Sequence, residues 1–254
     1  MSHVTILTGA SRGIGKAIAE ILLTTNDQTK LIAVARSGDN LKDLEEKYGS
    51  DRVGIVIGDV AEQSTTKAAI DLAIKKFGQI NSVIANAGVL DPVGPIEQTD
   101  LAKWKRLYDI NLFAVVDIIQ QSLPELKKTN GNIIAVSSGA SLKPYNAWYA
   151  YGSSKAALNH LIASVAEEET DIQSISIAPG VVDTAMQQDI RNVFGKKMAP
   201  DALSRFTDLH KNNQLLKPET PATVYVNLAI RGWSKEVNGT YLRFDDKSLV
   251  SYTK

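Results

Sequence analysis

Short runs of aliphatic and β-branched residues alternate with longer amphipathic stretches almost from the start of the chain. Val4 to Thr8 precedes Gly15 to Thr25, Leu31 to Ala35 precedes Asn40 to Tyr48, and Val53 to Ile57 precedes Ser64 to Phe77. Strand-length apolar runs followed by helix-period patterns predict βαβ units, and hence a parallel sheet with helices on both faces. The rhythm continues through Ser82 to Ala85, a long segment Leu101 to Leu126, a strand Asn132 to Ser137, a segment Tyr151 to Glu168 and a strand Gln173 to Ile177. In the first helix Ile14, Ala17, Ile18, Ile21 and Leu22 follow the 3.6-residue period, so one stripe packs on the sheet and Lys16 and Glu20 are expected to face water. After Pro179-Gly180 the pattern breaks. Val181 to Lys217 has no strand character, and a connection of that length in a compact domain is expected to be a lid or binding loop with short helices of its own. Pro221 to Gly232 then reads as a helix with Pro221 in its first turn, and Asn238 to Phe244 as a turn and a last strand.

The 254 residues show no repeat, low-complexity segment or linker, so the expectation is one α/β domain with a flap at about 186–217. Basic and acidic residues balance at 28 each, which leaves no electrostatic footprint for nucleic acid or an anionic membrane. Cysteine is absent, which excludes disulfides, zinc-thiolate and iron–sulfur sites and a thiol nucleophile, and suits a reducing compartment. No apolar run approaches the ~20 residues of a membrane helix. The first residues lack a signal-peptide pattern, so a cytoplasmic location is expected. His3, His160 and His210 are scattered without ligand spacing, and no metal site is expected.

Thr8-Gly9-Ala10-Ser11-Arg12-Gly13-Ile14-Gly15 follows a strand and opens a helix, the setting of a dinucleotide-binding turn. Glycines let the backbone approach a pyrophosphate, and a helix N-terminus offers unpaired N–H groups and partial positive charge. The spacing is Gly-x3-Gly-x-Gly rather than Gly-x-Gly-x-x-Gly. Folds that prefer NAD place an acid at the end of the second strand, to take the ribose hydroxyls. Here that place reads Ala35-Arg36. With no carboxylate to repel it, a 2′-phosphate would meet Arg36 and Arg12, so NADP(H) is favoured.

Tyr151 and Lys155 are four residues apart, neighbours on a helix surface. A nearby cation favours phenolate, so the phenol is expected to be acidified and able to exchange a proton with a carbonyl oxygen. The spacing alone says little, since chance supplies roughly 0.6 such pairs at these counts of Tyr and Lys. Context adds to it: Ser138 ends a strand, where open α/β sheets hold ligands, and precedes Tyr151 by a short connection.

Thr8 to Gly15, Asp59-Val60, Asn86-Ala87-Gly88, Asn111, Ser138, Tyr151 with Lys155, and Pro179-Gly180 followed by Thr184 occur in that order, and over nearly its whole length the chain resembles the short-chain dehydrogenase/reductase family. The resemblance implies a doubly wound Rossmann fold and an NADP(H)-binding oxidoreductase. It places Asp59 and Val60 at the adenine, Asn86 to Gly88 in the cofactor cleft, and Val182 and Thr184 about the nicotinamide. Gly9, Ser11, Arg12, Gly13, Ile14, Gly15, Arg36, Tyr151, Lys155, Pro179, Gly180 and Met186 complete the implied cofactor set. It assigns Ser138, Tyr151 and Lys155 to catalysis and Asn111 to a proton relay. The segments Ser137 to Trp148 and Pro179 to Gln187 are similar to the sepiapterin reductase and benzil reductase branch. In sepiapterin reductases a carboxylate near the C-terminus anchors the pterin, and Asp245 or Asp246 falls near that place. By analogy with the family, Leu101 to Leu126 and Tyr151 to Glu168 form a homodimer face.

These readings lead to NADPH-dependent reduction of a ketone or vicinal diketone, with benzil-type aromatic compounds favoured. Val193, Phe194, Met198, Leu203, Phe206 and Leu209 of the flap, with Trp148 and Tyr149, are the expected apolar walls. Two other readings stay open: a pterin carbonyl reductase, and a non-catalytic NADP(H)-binding sensor or scaffold. Sugar-nucleotide epimerases share the Tyr-x3-Lys pair, but the glycine spacing and length here do not suit them.

Overall fold

A computed structural model describes residues 2–254. Seven parallel strands form one sheet: β1 (His3–Thr8), β2 (Thr29–Ala35), β3 (Val53–Ile57), β4 (Ser82–Ala85), β5 (Asn132–Val136), β6 (Gln173–Ala178) and β7 (Tyr241–Arg243). Their spatial order is β3-β2-β1-β4-β5-β6-β7, so the winding direction reverses between β1 and β4. That reversal opens a crevice beyond the carboxyl ends of the two strands, the place where doubly wound sheets bind ligands. The register is continuous across it, with Ile6 opposite both Ile32 and Val83. The central strands are aliphatic on both faces because both are covered.

On one face lie α1 (Gly13–Thr25), α2 (Asp39–Tyr48) and α9 (Glu219–Arg231); on the other lie α3 (Gln63–Phe77), α5 (Ala114–Thr129) and α6 (Tyr149–Glu168). Ile18, Leu22 and Leu23 of α1 are buried with Leu7, Leu31, Tyr225 and Leu228. Ile118, Leu158 and Ile162 are buried with Ile6, Ile32 and Ile133 on the opposite face. Burying each such side chain stabilises the fold by about 1.5–3 kcal/mol before the entropy of ordering it. Lys16 is exposed as expected, but Glu20 is half-buried, bound by Lys47 at 2.7 Å and by the Tyr48 hydroxyl. The stripe on α1 is therefore wider than periodicity alone predicts, because α2 packs beside it.

The long amphipathic segment Leu101 to Leu126 folds as two helices, α4 (Leu101–Tyr108) and α5, joined by a π-helical turn Asp109–Phe113. Asp100 caps α4 by accepting from the N–H groups of Ala102 and Lys103. The expected flap holds α7 (Ala185–Asp189), a π-turn Ile190–Phe194, a 3₁₀ turn Gly195–Lys197 and α8 (Pro200–Lys211), with Pro200 at a first-turn position. These pack with Trp148, Tyr151 and Leu90 as a third apolar cluster above the carboxyl edge of the sheet. No helix among the described residues is long and apolar enough to cross a membrane.

Candidate active site

The glycine turn is shaped by what surrounds it. Gly9 has φ +70, and a Cβ there would stand 2.7 Å from Asn86 Nδ2; a Cβ at Gly15 would stand 2.1 Å from the Gly9 carbonyl oxygen. Both positions therefore exclude any side chain. Asn86 closes the turn from β4, donating through Nδ2 to the carbonyls of Thr8 (2.9 Å) and Gly9 (3.1 Å). At the head of α1 the Arg12 side chain provides no cap, so the helix N-terminus keeps free N–H groups facing the cleft. Such a cradle suits an anionic group. Arg12 and Arg36 are exposed on the same cleft, beside Ala35 and Gly58, and neither has an ion-pair partner among the described residues. Asp59 on the cleft is already engaged: its carboxylate is bound by Arg106 of α4 and accepts from the Ala61 N–H at 3.0 Å.

The cleft, with a volume of about 340 Å³, runs along the carboxyl ends of all the strands. Every residue expected at the cofactor lines it: Gly9, Ser11 to Gly15, Arg36, Asp59, Val60, Asn86 to Gly88, Pro179, Gly180, Val182, Thr184 and Met186. Ser138, Tyr151 and Lys155 line the same cleft.

Ser138 follows β5 and accepts the Ala140 N–H at 3.1 Å, capping a 3₁₀ turn. That bond uses a lone pair and leaves its hydroxyl proton free to donate. A side-chain network holds the loop behind it: Ser137 donates to Asn159 at 2.6 Å, Asn159 donates to Ser141 at 2.8 Å, and Ser141 donates to the Ser138 carbonyl at 2.6 Å.

Tyr151 and Lys155 project from the first turns of α6 and are both buried. Lys155 Nζ donates to the Val136 carbonyl at 2.8 Å and lies 6.0 Å from the centre of the Tyr151 ring. The expected acidification of the phenol is not what this geometry produces. Burial raises the Tyr151 pKa, with the Ser138 side chain working in the opposite direction, and burial lowers Lys155 from 10.5 to about 8. The ammonium donates to a backbone carbonyl, and desolvation is the leading influence on both groups.

Asn111 lies beneath the cleft rather than in its wall. It is fully buried in the π-turn between α4 and α5, accepts from Val89 N–H and donates to Val89 C=O, each at 2.9 Å, and reaches Ser154 at 3.2 Å. A π-turn between two helices commonly marks a functional position.

The apolar wall differs from the expected one. Trp148 stacks on Phe206 of α8 at 5.2 Å, and Tyr145 tilts against both. Phe194, Met198 and Leu203 pack in this cluster, whereas Val193 is exposed and Leu209 lies outside it. Tyr149 points away, bonded to Thr99 at 2.5 Å and packed on Trp104. The helix starts at Tyr149, and residues two apart in a helix do not share a face, so Tyr149 cannot join Tyr151. Neither C-terminal carboxylate lines the cleft. Asp245 is locked to Arg243, and Asp246 caps the last 3₁₀ turn through the Ser248 N–H. Arg205 and Arg243 do line it, although nothing in the local sequence marked them. Among the described residues no group of three or more His, Asp and Glu side chains could hold a metal.

A doubly wound parallel sheet with a glycine turn and an uncapped helix at its switch point defines a dinucleotide-binding α/β protein. Residues 3–193 match the model of the short chain dehydrogenase family, and the chain belongs to that family. An uncharacterised oxidoreductase of Saccharomyces cerevisiae is 48% identical over 253 residues, covering 99% of each chain; its crystal structure superposes with a TM-score of 0.98 over the whole of both chains. A benzil reductase ((S)-benzoin forming) of the same yeast is 43% identical over 98% of each chain. The crystal structure of the KRED1-Pglu enzyme is 54% identical, with a TM-score of 0.93 over 95% of this chain and 100% of that one. The wider set of relatives includes a bacterial benzil reductase and a sepiapterin reductase, which places the chain in that branch. The protein is thus an oxidoreductase of a family that binds nicotinamide cofactors.

Proposed function

We propose that the protein is an NADPH-dependent carbonyl reductase that converts an aromatic ketone or vicinal diketone to the hydroxy compound. The observation that carries this reading is the convergence of Ser138, Tyr151 and Lys155 in the cleft that also holds the glycine turn and the uncapped head of α1. When bound along that turn, a reduced nicotinamide supplies a hydride to the carbonyl carbon. Ser138 donates a hydrogen bond to the carbonyl oxygen, and Tyr151 gives it a proton as negative charge develops there. Hydride and proton together turn the C=O bond into a C–H and an O–H bond. Burial suits Tyr151 to this direction, because a raised pKa keeps the acid protonated at neutral pH. Lys155 orients the cofactor ribose. With Lys155, Asn111 serves the relay that restores the phenol's proton, through a water that its backbone would hold, since its side chain is bonded to Val89 and Ser154.

Preference for the phosphorylated cofactor rests on Arg12 and Arg36, whose planar guanidinium groups suit a 2′-phosphate. The benzil-type substrate is supported by the named reductases at 43% and 34% identity and by the ring wall of Tyr145, Trp148 and Phe206. The engagement of Asp245 with Arg243 and of Asp246 with Ser248 favours the diketone over a pterin. Phe113 and Val116, exposed beside and on α5, support the homodimer expected through α4 to α6. The absence of cysteine, and a yeast structural relative described as cytoplasmic, support a cytoplasmic enzyme.

Consumption of NADPH and of NADH on adding benzil tests this directly. NADPH is expected to give the larger kcat/KM, by tenfold or more for a phosphate held by charge-assisted bonds, and Arg36→Ala to shrink that margin. Equal use of both cofactors would remove the NADP assignment, and absence of turnover with either would remove the reductase.

A further inference from the structure

The substrate end of the cleft carries a cation that the reduction does not use. The cleft is lined by Arg12, Arg36, Lys155, Arg205 and Arg243 against one carboxylate, Asp59. Asp59 is taken by Arg106, and Arg243 is held fork to fork by Asp245 at 2.9 and 3.1 Å. Lys155 is buried against Val136, and the other two arginines stand at the glycine-turn end. Arg205 is exposed on α8 at the substrate end and has no carboxylate within ion-pair distance among the described residues. Its guanidinium carbon sits 5.4 Å from the centre of the Tyr145 ring, a cation–π contact that holds the planar group against the aromatic wall. Tyr145 packs on Trp148 at 5.2 Å, and Trp148 meets Tyr151 edge-on at 5.8 Å. Two ring contacts therefore separate the free cation from the proton donor.

Building on the carbonyl reductase reading, we propose that Arg205 is a specificity residue that binds a carboxylate of the substrate. The preferred class is then an aryl ketone or diketone with an anionic group on the ring remote from the reacting carbonyl. The rings of Trp148 and Phe206 take the aryl body, and the pre-positioned guanidinium takes the carboxylate with two parallel hydrogen bonds. An anion entering this cleft meets no unpaired carboxylate.

The experiment compares benzil with benzil carrying one para-carboxylate, at saturating NADPH, in wild type, Arg205→Ala and Arg205→Lys. The readout is the ratio of the two kcat/KM values within each protein, which cancels any general damage to the fold. The wild type is expected to favour the carboxylated compound by roughly tenfold or more. The ratio should fall toward one in Arg205→Ala, lie between in Arg205→Lys, and shrink with added salt because the cation is exposed. A wild-type ratio of one, or a ratio unchanged by Arg205→Ala, overturns the proposal while leaving the reductase intact. Turnover of neither compound overturns the proposal together with the reading beneath it.

Discussion

The two halves of the cleft are built by different means. The half expected to hold the cofactor is made of backbone: the end of β1, the glycine turn, the head of α1 and the β4 end, locked by Asn86 into two carbonyls of the turn. The half proposed to take the substrate is made of side chains that are distant in sequence, Tyr145 and Trp148 before α6 and Arg205 and Phe206 on α8. Backbone held on both sides by a sheet has little room to vary, whereas a wall of rings on a connecting segment can be rebuilt without disturbing the sheet. One chain thus combines a fixed cradle with an adjustable pocket, and a fold of this design can serve many carbonyl substrates.

Substitutions in each half should therefore move different readouts. Of the substitutions that separate the halves, the larger effect is expected from Gly15→Ala, which drives a Cβ to 2.1 Å from the Gly9 oxygen and 2.5 Å from Asn86 Nδ2. Backbone cannot yield there cheaply, so NADPH affinity should fall at least a hundredfold, with a stability loss of about 1–3 kcal/mol, read by titration and urea unfolding. Phe206→Ala should raise the KM for benzil about tenfold through loss of the stack on Trp148, with NADPH affinity unchanged. A parallel fall in NADPH affinity would show that the halves are not separable.

The most diagnostic effect is on pH. Lys155 is lowered from 10.5 to about 8, so between those values the folded chain binds fewer protons than the unfolded chain. Its penalty on folding is complete below about pH 8 and eases as pH rises toward 10.5, so stability from this group climbs across that window. Lys155→Met should abolish the climb, as measured by unfolding at several pH values. Over the same window Lys155 loses its proton while the buried Tyr151 phenol keeps its own, so reduction should slow as the lysine ceases to supply protons to the relay.

The difference in construction also explains what could be read from the sequence. The strands and the glycine turn were legible because each depends on local spacing along one element, whereas Ser138, Tyr151 and Lys155, on two elements, were singled out by the ordered motifs of the family the chain resembles. The break of Leu101 to Leu126 at the π-turn was not legible, because an apolar stripe continues through Ile110, Leu112 and Val115 with no glycine to mark it. Tyr149 was misplaced because two residues' difference in where α6 begins decides which face it shares with Tyr151. The unacidified phenol was beyond reach as well: spacing brings Lys155 to the same helical face, but only the folded chain shows Nζ committed to Val136. Arg205 and Arg243 carried no signal, since a free and a paired arginine look alike in a sequence.

The central claim, that the Tyr151 phenol protonates a carbonyl in this cleft, is tested most directly by Tyr151→Phe. With NADPH binding measured alongside, the account predicts unchanged affinity and a fall in benzil turnover of roughly a hundredfold to ten-thousandfold. Turnover within a few-fold of wild type, in a variant that still binds NADPH, would contradict it.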